Sequence, residues 1–263
     1  MLKEIKNLLS FLTILPLSMD KDCLTDAAKG MFLFPLIGAF IGLLAGIFAW
    51  VTSQFLPSLV VGALALVFLL LITGLHHTDG LLDFGDGVMY HGSAERKIEI
   101  MHDQLTGAGG LTLGIMTFLI TALSIAELVD TITKAGTNVV LNMSTIIESL
   151  VIVEVSAKLS MVIGAWAGKA VHIGMSSSFI EAMHGKKGTA RLIVALLISF
   201  GIALPLLWLT GAVTILAAVI ASLIMVGISH RHFKGVTGDV LGAMNELTRM
   251  VSLIVLLVTL RWA

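Results

Sequence analysis

Met31–Val51 reads MFLFPLIGAFIGLLAGIFAWV, without a single charged residue. A helix needs about 20 apolar residues to cross the hydrocarbon layer of a bilayer, so this stretch predicts a transmembrane span. Six further runs read the same way: Pro57–Leu75, about Gly109–Leu128, about Ile146–Ala167, Leu192–Leu209, Ala212–Ile228 and roughly Leu247–Leu260. Composition agrees. Of 263 residues, 57% are hydrophobic and 13% charged, with a mean hydropathy of +1.02, whereas a soluble domain carries about a quarter charged residues. The predicted fold class is all-α: a polytopic integral membrane helical bundle of about seven transmembrane helices, one catalytic domain over residues 1–263.

Leu2–Leu15 is of another kind. Lys3, Glu4 and Lys6 punctuate Leu2, Ile5, Leu8, Leu9 and Leu12 at helical spacing, and Pro16 ends the run. That pattern predicts an amphipathic helix lying in the membrane interface. No small-residue cleavage site follows it, so it is not read as a signal peptide. The near-neutral balance of 16 Lys and Arg against 17 Asp and Glu excludes a nucleic-acid partner as a default. The lone Cys23 excludes a disulfide scaffold.

Basic residues set the orientation. With the N-terminus in the cytoplasm, Lys3, Lys6, Lys21, Lys29, Arg96, Lys97, Lys169, Lys186, Lys187, Arg191, Arg231, Lys234 and Arg249 fall inside. Only Lys134 and Arg261 fall outside, and Lys158 lies within a span. The expectation is a multi-pass protein of the cell membrane, with its N-terminus and active site on the cytoplasmic side. The polar loops rich in Asp, His and Gly share that side, which points to chemistry at one surface. A transporter would show internal repeats and midplane polar groups, and no convincing repeat is found. Gly38, Gly42 and Gly46 recur every four residues on the first span, as close helix packing requires.

Chemistry concentrates in His76-His77-Thr78-Asp79-Gly80-Leu81-Leu82-Asp83-Phe84-Gly85-Asp86-Gly87. Asp79, Asp83 and Asp86 stand at i, i+4 and i+7, on one helix face. Glu95, Glu99 and Asp103 repeat at i, i+4 and i+8, though Arg96 and Lys97 beside them also allow ordinary surface pairs. Clustered carboxylates repel unless a cation sits between them. Mg²⁺ is the natural choice, since it bridges protein carboxylates to substrate phosphates. His76 and His77 sit among oxygen donors, which disfavours zinc; packing or substrate hydrogen bonding suits them better. Thr106-Gly107-Ala108-Gly109-Gly110 then opens the third span and offers backbone N–H groups to a phosphate.

The Asp83-x2-Asp86-Gly87 pattern echoes the CDP-alcohol phosphotransferases, but Val88-Met89-Tyr90-His91 replaces the rest of their first motif, and the Gly of the second is missing. Over nearly the whole chain the sequence resembles cobalamin synthase, the adenosylcobinamide-GDP ribazoletransferase family. The resemblance is carried by Ser10–Pro16, Gly30 with Phe34–Gly38, the Gly74–Gly87 block, Glu99-Ile100-Met101-His102-Asp103, and Gly235–Ala243 with Glu246. His102 and Lys158 stand where Arg is common in that family.

The resemblance implies a membrane phosphotransferase acting late in nucleotide loop assembly. The hydroxyl of α-ribazole, or of its 5′-phosphate, attacks the cobinamide-side phosphorus of adenosylcobinamide-GDP, and GMP leaves. Asp79, Asp83, Asp86 and Asp103 are the implied Mg²⁺ ligands, with Asp83 and Asp103 catalytic and Asp103 accepting the hydroxyl proton. His76, Gly107, Lys158, Lys186, Asp239 and Glu246 are the candidate substrate contacts. For Lys158 a structural pair with Glu154, one turn earlier, competes with a phosphate contact; for Lys186 charge-set orientation competes with a phosphate site. Partners are the two substrates and the lipid bilayer, and a homo-oligomer is compatible with the sequence. The readings set against this one are a CDP-alcohol-type lipid phosphotransferase and a non-catalytic transporter.

Overall fold

A computed structural model describes residues 2–15, 23–135, 138–171 and 175–261. Pro16 and Lys21, used above, lie outside the described residues. In chain order the helices are α1 (Leu2–Leu12), α2 (Cys23–Lys29), α3 (Phe34–Ser53), α4 (Ser58–Ile72), α5 (His76–Met89), α6 (Ala94–Met101), α7 (Ala108–Ala135), α8 (Val139–Ala167), α9 (Met175–Ala182), α10 (Gly185–Phe233) and α11 (Gly238–Leu260). Among the described residues the only β feature is an isolated bridge between Ala170 and Val236.

Among the described residues four helices are each long and apolar enough to cross a bilayer, α3 with the short turn before it, α7, α10 and α11, and α4 with α5 passes the same test as a bent pair. Their apolar side chains point outward as well as inward. Leu36, Phe40, Leu43 and Ile47 on α3 are each about 40% exposed, and Leu111, Ile115, Met116 and Leu119 on α7 more than half. A belt of that kind marks a lipid-facing surface.

All seven apolar runs become helix, but with bounds that differ from those expected. The second run stops at Ile72, where Gly74 and Leu75 both take positive φ (66° and 63°) and turn the chain by 98° into α5. That angle sets α5 across the end of the bundle, outside the spanning segments. The fifth and sixth runs are the two arms of α10, which reverses at Leu207 and Trp208. There a Cβ on Gly211 would lie 2.4 Å from the carbonyl oxygen of Ala203. The seventh run starts nine residues early, at Gly238, and so carries Arg249 inside the helix.

The fourth run is the centre of the bundle. From Ser149 to Ala165 α8 is buried on every side, so it faces protein rather than lipid. α3 lies against it along the expected glycine stripe: a Cβ at Gly38 or Gly42 would meet the carbonyl oxygen of Glu154 or Leu150 at 2.4 Å, and one at Gly46 would meet Ile147 Cα at 2.7 Å. Only hydrogen fits between those backbones. α1 is amphipathic as expected, but Leu8 and Leu12 are buried against protein and Phe11 stacks on Phe179 of α9 at 5.1 Å. Its apolar face therefore caps the bundle.

The polar loops meet at one end. Lys97 of α6 and His232 of α10 approach to 2.8 Å, and Val236 N–H donates to the Lys169 carbonyl at 2.7 Å. The opposite end is sparse, with Ser58 donating to Asp130 at 3.2 Å and Arg261 paired with Glu127 at 2.8 Å.

Candidate active site

The α4–α5 bend presents Asp79, Asp83 and Asp86 as one row on α5, as their spacing predicts. α11 crosses this helix at Gly80, where a Cβ would lie 2.9 Å from Asp239 Cα. That contact brings a fourth carboxylate to the row from the far end of the sequence. Asp239 is fixed by the α11 cap. The Thr237 hydroxyl accepts from Val240 N–H at 3.3 Å and donates to Asp239 Oδ2 at 3.2 Å. The Asp83 carboxyl is pushed up to about 7, by burial first and then by the charges of Asp79, Asp239 and Asp86. A carboxyl so placed among like charges favours a cation beside it.

Asp86 has a further task. Its carboxylate accepts from Gly107 N–H at 2.7 Å and from Gly110 N–H at 2.8 Å, so an α5 side chain caps α7. Those are the donors expected to hold a phosphate, and a protein carboxylate takes them instead. The two glycines are required by the same contact, because a Cβ at either would fall within 2.7 Å of an Asp86 oxygen.

Asp103 does not extend a carboxylate face of α6, which ends at Met101. It lies exposed in the next loop, accepting from Leu105 N–H at 3.2 Å. Glu99 forms the surface pair with Arg96 at 2.5 Å. His76 is exposed at the start of α5, one turn before Asp79, and Lys186 is exposed in the first turn of α10. Among the described residues no three His, Cys, Asp or Glu side chains converge to hold a metal ion.

Lys158 and Glu246, expected as substrate contacts, are 0% and 1% exposed and have protein partners for their polar atoms. Lys158 Nζ donates to Asn245 Oδ1 at 2.6 Å, and Asn245 Nδ2 to Glu246 Oε1 at 3.0 Å. Arg249 donates to Glu154 at 2.5 and 3.1 Å and to Glu246. The helical-turn pair Glu154–Lys158 thus gives way to a buried network in which two carboxylates answer two cations. Arg249, counted above among cytoplasmic charges, belongs here too. The network lies beneath α5, whose His77 is buried with Nδ1 unpartnered among the described residues. Arg249 was the member of the network that sequence reasoning missed; the available signal was an Arg three residues after Glu246 inside an apolar run.

Beside Asp239 a cavity of about 310 Å³ opens among α1, α3, α9 and α11, lined by Phe11, Phe34, Phe179 and Met161, with His102 and Asp239 also in its wall.

Comparison with known proteins gives one consistent picture. The family model described as cobalamin-5-phosphate synthase (CobS) matches residues 4–257. A Methanococcoides burtonii protein named adenosylcobinamide-GDP ribazoletransferase is 33% identical over 98% of this chain and 93% of its own. Proteins of the same name from Methanosarcina mazei and Pyrococcus abyssi are 34% and 26% identical, each over 95% of this chain and over 90% and 96% of their own. No solved structure matches.

Proposed function

The chain belongs to the cobalamin-5-phosphate synthase family, and on that premise we propose that it is a membrane-bound phosphotransferase joining the cobinamide phosphate of adenosylcobinamide-GDP to α-ribazole or its 5′-phosphate, with release of GMP. Membership places it in cobalamin biosynthesis as a transferase. The observation that carries the finer reading is the row of Asp79 and Asp83 set against Asp239 at one end of the bundle. By the distribution of basic residues, that end and the N-terminus are cytoplasmic.

Phosphoryl transfer needs charge neutralised and groups held in line more than it needs covalent help. Mg²⁺ suits the donor set, which is all oxygen and mutually repulsive. Among the described residues no three-residue cluster is present, so Asp79 and Asp83 are the residues that would hold the ion together with substrate phosphate, the usual division for Mg²⁺. When bound, the ion offsets charge on the diphosphate and on departing GMP. Asp86 sets the pitch of α5 against α7 and thereby aims the other two. Asp239, held by Thr237, orients the incoming ribazole hydroxyl. Asp103 lies one residue from His102 in the cavity wall, and accepts the hydroxyl proton.

The test is GMP release by detergent-solubilised protein given adenosylcobinamide-GDP, α-ribazole 5′-phosphate and Mg²⁺, beside Asp83→Asn. Release that needs Mg²⁺ and ribazole and is lost in the variant is the expected result. Folded wild-type protein that releases no GMP overturns the reading, and activity on CDP-alcohols instead would replace it.

A further inference from the structure

We infer that the cavity between α1, α3, α9 and α11 is the seat of the flat heteroaromatic base of the α-ribazole substrate. The inference rests on the reaction proposed above and assigns one of its two substrates a place.

The cavity's chemistry is two-sided. Phe11, Phe34 and Phe179 form one aromatic cluster, with ring centroids 5.1, 6.1 and 6.5 Å apart. Met161 lies in the same wall, and its polarisable sulfur adapts to ring faces and edges. A volume of about 310 Å³ is at the small end of ligand pockets, which run from roughly 300 to 1,000 Å³. It suits a single bicyclic ring system and is far too small for a corrin. Asp239, Ser176 and His102 make up the polar part of the lining.

Asp239 connects the cavity to the reaction centre. Its backbone abuts Gly80 between Asp79 and Asp83, and its charge bears on Asp83. A nucleoside whose base enters among the phenylalanines leaves its ribose at Asp239, with a hydroxyl directed to the acidic row. Dimethylbenzimidazole is apolar along most of its edge and matches walls of Phe and Met. Guanine, the other base present in the reaction, carries donors and acceptors around its rim and would leave several of them facing apolar side chains, at a desolvation cost. Three elements remote in sequence, α1, α3 and α9, supply the rings, so the pocket exists only in the assembled cytoplasmic end.

The experiment uses full-length protein in detergent with two readouts. One is KM for each substrate; the other is equilibrium binding of α-ribazole without corrinoid. Phe179→Ala is expected to raise KM for α-ribazole about tenfold, leave KM for adenosylcobinamide-GDP unchanged, and weaken direct α-ribazole binding to the same degree. Phe179→Leu, which keeps apolar volume and fold but not the ring, should shift both in the same direction by a smaller factor. A rise in KM for adenosylcobinamide-GDP alone would place guanine there and overturn the inference, as would variants that fold and leave both KM values unmoved. Wild-type protein that binds α-ribazole, loses it in the variants, yet releases no GMP would sink the proposed reaction and leave the base pocket standing.

Discussion

Gly107 N–H donates to the Asp86 carboxylate across 21 residues of sequence, and Gly110 N–H does the same across 24. A side chain of the acidic row thus serves as the N-terminal cap of a spanning helix. Its negative charge also faces the positive end of the α7 dipole.

Asp86→Ala should therefore cost about 0.5–2 kcal/mol, the usual range for a lost cap, seen as a lower melting temperature with and without Mg²⁺. Asp79→Ala, on the same face but exposed, should not lower the Mg²⁺-free melting temperature, since it caps nothing and relieves repulsion on Asp83, while abolishing GMP release. Equal destabilisation by both would refute the division of labour.

Asp83 carries a pH signature. Its folded-state value of about 7 exceeds the ordinary carboxylate value of 3.8. The folded protein thus binds the extra proton between those limits. Stability from this group is full below about pH 4 and is lost as pH rises through about 7. In Mg²⁺-free detergent Asp83→Asn should raise the melting temperature at pH 8 relative to wild type, and the gain should shrink at pH 5. Mg²⁺ affinity of the wild type should weaken as pH falls below 7. A variant whose melting difference is flat with pH would contradict the assigned repulsion.

Arg249→Met leaves Glu154 and Glu246 buried without their main partner and should cost about 3–5 kcal/mol. Arg249→Met combined with Glu154→Leu removes one charge of each sign and leaves Lys158, Asn245 and Glu246 bonded. The double variant should recover most of the monodisperse peak in detergent size exclusion. If it behaves like the single variant, charge balance is not what the network supplies.

Glycines on two helices should respond oppositely. A Cβ at Gly42 would meet Leu150 O at 2.4 Å and Val151 Cα at 2.6 Å, and backbone atoms cannot move aside as a flexible side chain can. Gly42→Val should prevent α3 from seating on α8. Nothing lies within 4 Å of a Cβ at Gly201 on α10, so Gly201→Ala should be tolerated, with up to about 1 kcal/mol of helix propensity in its favour. Fluorescence-detected size exclusion reads both.

These contrasts mark where sequence was legible. Periodicity placed Asp79, Asp83 and Asp86 on one face because a helix imposes its spacing locally, whatever surrounds it. Small residues at 38, 42 and 46 announced a close crossing for the same reason. The gathering of Asp239 with Asp83 was invisible to spacing, since it depends on α11 crossing α5 at Gly80. Apolar runs alone could not tell α8 in the protein interior from α3 in lipid, because both solvents reward the same residues. Nor could they foresee the bend at Gly74 and Leu75, two residues that fit a straight helix by hydropathy and leave it by backbone conformation. Arg249 looked like a cytoplasmic charge at the first turn of its span because its counter-ion Glu154 lies 95 residues away.

That last separation bears on how the protein is made. Glu154 and Lys158 leave the ribosome long before Arg249 and Asn245, a lag of several seconds at about 5–20 residues per second. During that interval α8 holds two opposite charges that its final neighbours do not yet neutralise, and lipid is a poor place to keep them. The nascent helix must shelter at the insertion machinery or lie shallow until α11 arrives. A ribosome stalled before Arg249 should then yield an α8 that base extracts and protease reaches, and release of the stall should bury it.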